Sequence, residues 1–322
     1  MKIGSSSLID GNACTEYWNR QFSTLHFTNR PEALTLPTLT QGGAGIFAIR
    51  KARLELIRVT HKIHHSVRSE KDIQGGRRIL LDFRWGGEEL PALLLMPSGR
   101  TRAPAALLLH GLNLDKEKMS DMAGQALLRQ GIASLTLDLP LHGERSRGTG
   151  TATDTNPFDM MRRWRGAQEE CLVALRYMAR HPALDGARLG LVGYSLGAFL
   201  GLRVAAESPA VKALVIAGGG DLPDYTPFIS VARAFSDPLK QVRQLGGRPL
   251  FMLHGKYDKA VPPKQAERLF QAAREPKKLV WWDCGHVLPP DAIDSAASWL
   301  AEQFKPPAAP TFSPEEIRRY TL

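Results

Sequence analysis

Gly193-Tyr194-Ser195-Leu196-Gly197 is a G-x-S-x-G run that follows the apolar stretch Leu189-Gly190-Leu191-Val192 and precedes the small-residue, helix-spaced segment 198–206. A strand before it and a helix after it make this a tight strand-to-helix turn, which lifts a serine out of the end of a sheet. Glycines at the two flanking positions let backbones pass closely on either side, where a Cβ would intrude. Three fixed residues out of five recur by chance in many chains, and a serine between glycines is ordinarily a plain turn. Partners elsewhere in the chain therefore decide the reading.

Two such partners stand downstream. Pro249-Leu250-Phe251-Met252-Leu253 reads as a buried strand and runs into His254-Gly255-Lys256-Tyr257-Asp258, so Asp258 falls on the loop just past a strand end. Leu279-Val280-Trp281-Trp282 is strand-like again and leads through Asp283-Cys284-Gly285 to His286. Serine, aspartate and histidine then follow one another in the chain order expected for this kind of turn. Asp237 and Asp283 compete with Asp258 by position, although Asp283 is too near His286 in the chain to be the expected partner.

With these residues the chain resembles the α/β-hydrolase superfamily over residues 77–304, most closely its small serine carboxylesterases and dienelactone-hydrolase-like esterases. The resemblance implies Ser195 as nucleophile, His286 as general base and then acid, and Asp258 as the carboxylate that orients the imidazole. It also implies hydrolysis of short to medium acyl esters through an acyl-enzyme, with a small-molecule ester as partner and with no cofactor and no metal. One donor to the developing oxyanion is expected to be the Leu196 N–H, next to the nucleophile. The second is expected from His110-Gly111-Leu112-Asn113, which follows the buried run 105–109 and resembles the family's H-G-x turn; its donor is the Leu112 N–H. His110 itself is expected to be structural, its ring bonded to backbone beneath the site. Asp138-Leu139-Pro140-Leu141-His142-Gly143-Glu144-Arg145 resembles the D-x-P-x-H-G-E-R stretch of some small esterases. A polar network that fixes this loop is the favoured role for His142, Glu144 and Arg145, with substrate contact as the alternative. Tyr194, His142, Phe228 and Phe235 are the pocket candidates.

The chain has 322 residues, of which 43% are hydrophobic and 23% charged, values that allow one large core. From residue 77 onward short apolar runs alternate with helical stretches at 119–130, 158–180, 263–274 and 292–304, which predicts an α/β fold with a mostly parallel sheet flanked by helices. The runs 78–83 and 90–96, joined by Trp85-Gly86-Gly87-Glu88, predict a hairpin of antiparallel edge strands. The expected organisation is an N-terminal accessory segment, 1–76, partly helical through an amphipathic helix at 50–68; a catalytic domain, 77–304, with a short cap insert at 218–248; and a C-terminal arm, 305–322. The cap interval is too short for a large lid. Its Phe228, Ile229, Val231 and Phe235 have nearly helical spacing, which suits either an acyl-pocket wall or a core-facing helix. Three roles stay open for residues 1–76: crossing the catalytic end of the sheet, subunit contact, or covering an edge strand.

The net charge is +10 and the pI near 9.7, yet most basic residues are interspersed with acidic ones. Arg162, Arg163 and Arg165 around Trp164 form one cluster, and no nucleic-acid motif accompanies them, so neither nucleic acid nor membrane is expected as a partner. The first residues lack a secretory apolar stretch and no run of about 20 apolar residues occurs, which predicts a cytoplasmic protein. Cys14, Cys171 and Cys284 are an odd set without metal spacing. His61 and His65 stand at i,i+4, but no carboxylate or thiol cluster joins them, and they read as solvated side chains. A homo-oligomer stays open. A thioesterase, lactonase, peptidase or acyltransferase would use the same three residues. A non-catalytic binding module is disfavoured because Ser195, Asp258 and His286 are all intact.

Overall fold

No residue of the segment Ala103–Leu109 has a polar side chain and all are buried, as in a strand covered on both faces. Its side chains divide by alternation: Ala105, Leu107 and Leu109 join one apolar cluster, Ala106 and Leu108 another. That is the two-residue period of a strand turned into two cores. The computed structural model describes residues 63–146, 157–224, 229–230, 233 and 236–305. Within them Ala103–Leu109 is β4 of a nine-stranded sheet with β1 (His64–Ile73), β2 (Gly76–Trp85), β3 (Glu88–Pro97), β5 (Ala133–Leu137), β6 (Leu184–Tyr194), β7 (Val211–Ala217), β8 (Leu250–Gly255) and β9 (Lys277–Trp282). The order is β1-β2-β3-β5-β4-β6-β7-β8-β9. The pairs from β1 to β5 are antiparallel and those from β5 to β9 parallel. This is a mostly parallel sheet with an antiparallel edge.

One face is covered by a continuous helical rod, α1 (Lys116–Met119), a π turn (Ser120–Gly124) and α2 (Gln125–Arg129), together with α7 (Pro290–Gln303). These pack on Ala106, Leu108, Val192, Val215 and Leu253. The other face carries α3 (Pro157–Arg180), α4 (Leu196–Glu207), α5 (Pro238–Arg243) and α6 (Pro263–Ala272). The four helical stretches expected from the sequence fall on the first rod, α3, α6 and α7. No helix among the described residues is long and apolar enough to cross a membrane.

The N-terminal reading needs correction. The helix expected at 50–68 lies outside the described residues up to 62, and from His64 to Arg68 the chain is strand β1 instead. Pairing explains this: β1 runs antiparallel to the whole of β2 from a turn in which Gly75 has φ +82, and cross-strand pairing overrides a local amphipathic pattern. His64 and His65 therefore stand on a strand, while His61 lies outside the described residues. The sheet starts ahead of residue 77, and residues 64–76 belong to it. The edge is also displaced, because β2 and β3 are interior and β1 is the edge strand. Its mostly exposed, charged side chains suit a strand that must not pair further.

The loop after β5 is built on one carboxylate. Asp138, fully buried, accepts from the Lys116 N–H (2.8 Å), the Lys116 ammonium (2.9 Å) and the Glu144 N–H (3.0 Å). Glu144 also pairs with Lys116 and with Arg68 of β1, whose guanidinium holds its carboxyl well below the usual range. Arg145 grips Glu170 of α3 bidentately at 2.8 and 3.0 Å. Gly143 has φ +52, and a Cβ there would overlap the Asp138 carboxylate. The D-x-P-x-H-G-E-R stretch is thus a polar network tying β1, α1 and α3 together. Asp138→Ala leaves the Lys116 ammonium without its fully buried counter-charge and is expected to cost about 3–5 kcal/mol, read as a lower urea midpoint at an unchanged m-value.

Candidate active site

The turn after β6 brings two backbones into contact. A Cβ on Gly193 would overlap the Gly197 carbonyl, and one on Gly197 would overlap the carbonyls of Leu109 and His110 at the end of β4. Ser195 sits between them at φ 53, ψ −114, a conformation that costs a non-glycine residue about 1–3 kcal/mol. Backbone bonds hold it there: its N–H donates to Ala217 O (2.8 Å), and its carbonyl accepts from Ala198 (2.8 Å) and Phe199 (3.3 Å). The loop after β4 lies against this turn, since a Cβ on Gly111 would meet Ser195 Cβ at 3.3 Å. Backbone bonds of these turns among the described residues leave the Leu112 and Leu196 N–H groups unused.

His286, on the loop after β9, spans the gap between two other loops. Its Nε2 lies 2.8 Å from Ser195 Oγ and its Nδ1 2.8 Å from Asp258 Oδ2. Asp258 is 3% exposed and its Oδ1 accepts from the N–H groups of Ala260 and Val261, both at 2.9 Å. Ser195, 3% exposed, His286 and Asp258 thus form one unbroken hydrogen-bonded line across the ends of β6, β9 and β8. The two competing carboxylates have other employment. Asp283 is exposed and pairs with Lys256 at 2.9 Å. Asp237 caps α5, accepting from the Leu239 and Lys240 N–H groups.

The remaining sequence-predicted residues are placed variously. Tyr194 stacks on the His286 ring at 5.5 Å, and its hydroxyl donates to the His286 carbonyl at 2.9 Å. Tyr194 also borders a small apolar cavity of about 40 Å³ between the π turn and α7. His142 is buried against His110, with ring centroids 5.0 Å apart, and its Nδ1 is 2.9 Å from Pro140 O. Phe228 and Phe235 lie outside the described residues. Cys284 is part-buried, and burial raises its thiol above the ordinary range, which keeps it protonated.

Sequence reasoning missed two features of this region. Asp221, fully buried after β7, accepts two bonds from Arg233 (2.9 and 2.7 Å) and lies 3.1 Å from Arg268 of α6, fastening the 218–248 interval to the body. His254, at the end of β8, sits directly behind Asp258. Its i,i+4 spacing to Asp258 was visible in the sequence, but it stood just past a run read as apolar strand and was given no role.

His110 is fully buried, its Nε2 accepting from the Leu139 N–H (3.0 Å) and its Nδ1 lying 2.8 Å from Gly111 O. Nδ1 therefore carries the proton, and burial pushes the imidazolium down to about 4. Burial also lowers His142, His181 and His254.

Comparison with known proteins agrees with this architecture. The model of the alpha/beta hydrolase family matches residues 106–300. A polyketide transferase, ATR5, of Stachybotrys chlorohalonatus is 30% identical over 121 residues, 38% of this chain and 37% of that protein. The esterase FrsA of Escherichia coli O157:H7 is 28% identical over 137 residues, 41% of this chain and 29% of that protein. The chain thus matches only about a third of the length of these curated relatives. Among solved structures, acetyl xylan esterase 1 from Thermoanaerobacterium sp. JW/SL YS485 superposes with TM-score 0.64 at 17% identity, over 80% of this chain and 92% of that one. A cold-adapted esterase from an Arctic intertidal metagenomic library gives 0.59 at 19%, over 76% and 100%. These likenesses establish the shared fold.

His110 binds its second proton less readily folded than unfolded, so the unfolded chain takes up more protons between pH 6.5 and about 4. Stability is therefore expected to fall as pH drops through that window, by about 3 kcal/mol from this residue. Denaturant unfolding from pH 7 to 4 measures the slope, and His110→Asn is expected to flatten it.

Proposed function

The chain belongs to the alpha/beta hydrolase family, and on that premise we propose that it is a serine esterase acting on short to medium acyl esters through an acyl-enzyme. The observation that carries this reading is the unbroken line Ser195 Oγ, His286, Asp258, with 2.8 Å at both joints. In it each group has the partner its role needs. His286 Nε2 takes the Ser195 proton as Oγ attacks the ester carbonyl, while Asp258 holds the opposite nitrogen protonated and stabilises the imidazolium. The Leu112 and Leu196 N–H groups, lying on the two turns that meet at Ser195, receive the carbonyl oxygen as it becomes negative. Collapse of the adduct expels the alcohol, which leaves with the proton His286 holds. Water then attacks the acyl-serine by the same route in reverse, giving the acid and free Ser195.

The half-buried Tyr194 supports the imidazole from one side and Asp258 from the other, so His286 can exchange a proton without turning. A second reading, acyl transfer to an alcohol or amine instead of water, is favoured by one observation, the 30% match to a polyketide transferase. Both readings share the acyl-serine and differ in what releases it.

Hydrolysis of a p-nitrophenyl ester series from acetate to long acyl chains tests the proposal. The wild type is expected to be fastest on short or medium chains, and Ser195→Ala is expected to lose about a millionfold in kcat. Equal rates in the two proteins would remove Ser195 from the mechanism. Adding a nucleophilic alcohol separates the two readings: an acyltransferase forms new ester at the expense of free acid.

A further inference from the structure

We propose that His254 is a positioning residue for the relay, holding Asp258 in register with His286 through a shared contact with Val261; the proposal rests on the reading of Ser195, His286 and Asp258 given above. His254 ends β8 and is fully buried. Its Nε2 lies 2.8 Å from the Val261 carbonyl and 3.4 Å from Asp258 Oδ2, the same oxygen that His286 Nδ1 approaches. A carbonyl only accepts, so Nε2 carries the proton. That proton points at Val261 O, and the carboxylate lies beside it, within ion-pair distance of the ring but not hydrogen-bonded to it. Nδ1 is then bare, and it has no hydrogen-bond partner among the described residues. Burial disfavours the charged ring, which fixes His254 as a neutral donor.

The contacts close a circuit. His254 braces Val261 across the loop, the Val261 N–H returns to Asp258 Oδ1 at 2.9 Å, and Asp258 Oδ2 holds His286. The Trp281 ring, its centroid 5.6 Å from that of His254 and its plane at 81°, packs edge to face with the imidazole and restrains its plane. Stability alone favours an apolar side chain here, because every other residue of β8 beside it is buried and one imidazole nitrogen goes unpartnered. A donor that bonds the Val261 carbonyl while its ring lies against the relay's carboxylate accounts for the imidazole. The titratable groups around Asp258 are His254 from β8, His286 and Cys284 from the loop after β9, with Lys256 and Asp283 paired to each other outside.

Removing the imidazole takes away the N–H dipole 3.4 Å from Asp258 Oδ2 and the brace on Val261, which leaves more of Asp258's charge for His286, favours the imidazolium and displaces the acid limb of Ser195 reactivity to higher pH. The test is the pH profile of Ser195 labelling by a fluorophosphonate, which needs no knowledge of the substrate, with the downfield proton resonance of the His286–Asp258 bond recorded in parallel. Gln places an amide N–H near the position of Nε2, and Asn does not. His254→Asn is expected to slow labelling about tenfold, a barrier change of ~1.4 kcal/mol, raise the acid limb and shift the resonance, while His254→Gln restores all three. An unchanged limb and resonance in folded His254→Asn overturns the proposal. Should that variant not fold, Trp281→Phe, which releases the ring's plane, is read the same way, and an unmoved resonance overturns it. A wild type that fails to label sinks the Ser195 reading instead, and the resonance alone then decides the role of His254.

Discussion

Gly197 and the carbonyl of Leu109 touch backbone to backbone, and the geometry around Ser195 follows from that contact. With no Cβ on Gly197, α4 can start directly over the end of β4, so the first turn of a helix, the end of one strand and the loop after another all meet at one serine. Ser195 is held at positive φ by bonds to Ala217, Ala198 and Phe199 on both sides. Local strain is therefore borne by a residue whose surroundings over-determine its conformation. Loss of the close approach would separate Gly111 from Ser195 and part the two turns that meet there.

The polar groups of the site share a second property: each follows a parallel strand at its C-terminal end. His110 follows β4, Asp138 β5, Ser195 β6, Asp221 β7, Asp258 β8 and His286 β9. Such ends are where an open α/β sheet gathers its loops. Burying a carboxylate there is costly unless donors surround it. Asp138 has Lys116 and the Glu144 N–H, Asp221 has two arginines, and Asp258 has two N–H groups and two histidines. Each of the three carboxylates organises a loop, and they differ in their partners: lysine and arginine supply fixed charge to the first two, while Asp258 is met by two backbone N–H groups and two imidazoles and by no fixed positive charge.

Much of the fold and the central line of the site was legible in the sequence, because both rest on short-range pattern. The runs at 189–192, 250–253 and 279–282 are apolar strands that stop at polar loops, and the chemistry stands on those loops. β1 was not legible: nearly all of its side chains are exposed, so it has no apolar alternation, and its strand identity comes from pairing with β2. Lys116 was invisible for the opposite reason, since a lysine in a helix reads as surface although here it is 2% exposed. Its burial depends on Asp138 and Glu144, more than 20 residues away. His254 stands at the end of an apolar run with nothing local to mark its role, and its contact with Val261 exists only because the intervening loop folds back. Sequence pattern exposes what a residue's neighbours in the chain decide, and loses what is decided by the packing of distant segments.

The two-sided burial of β4 has a further consequence, for how such a protein diversifies. A strand walled on both faces offers almost no site where a substitution is neutral, so drift is confined to the loops at the strand ends. Residues inserted after β7 lengthen the span between Asp221 and α5 without displacing Gly197 from Leu109. The loops can therefore change over evolutionary time while the line of Ser195, His286 and Asp258 stays put, and a scaffold of this kind can be handed from one role to another by loop exchange.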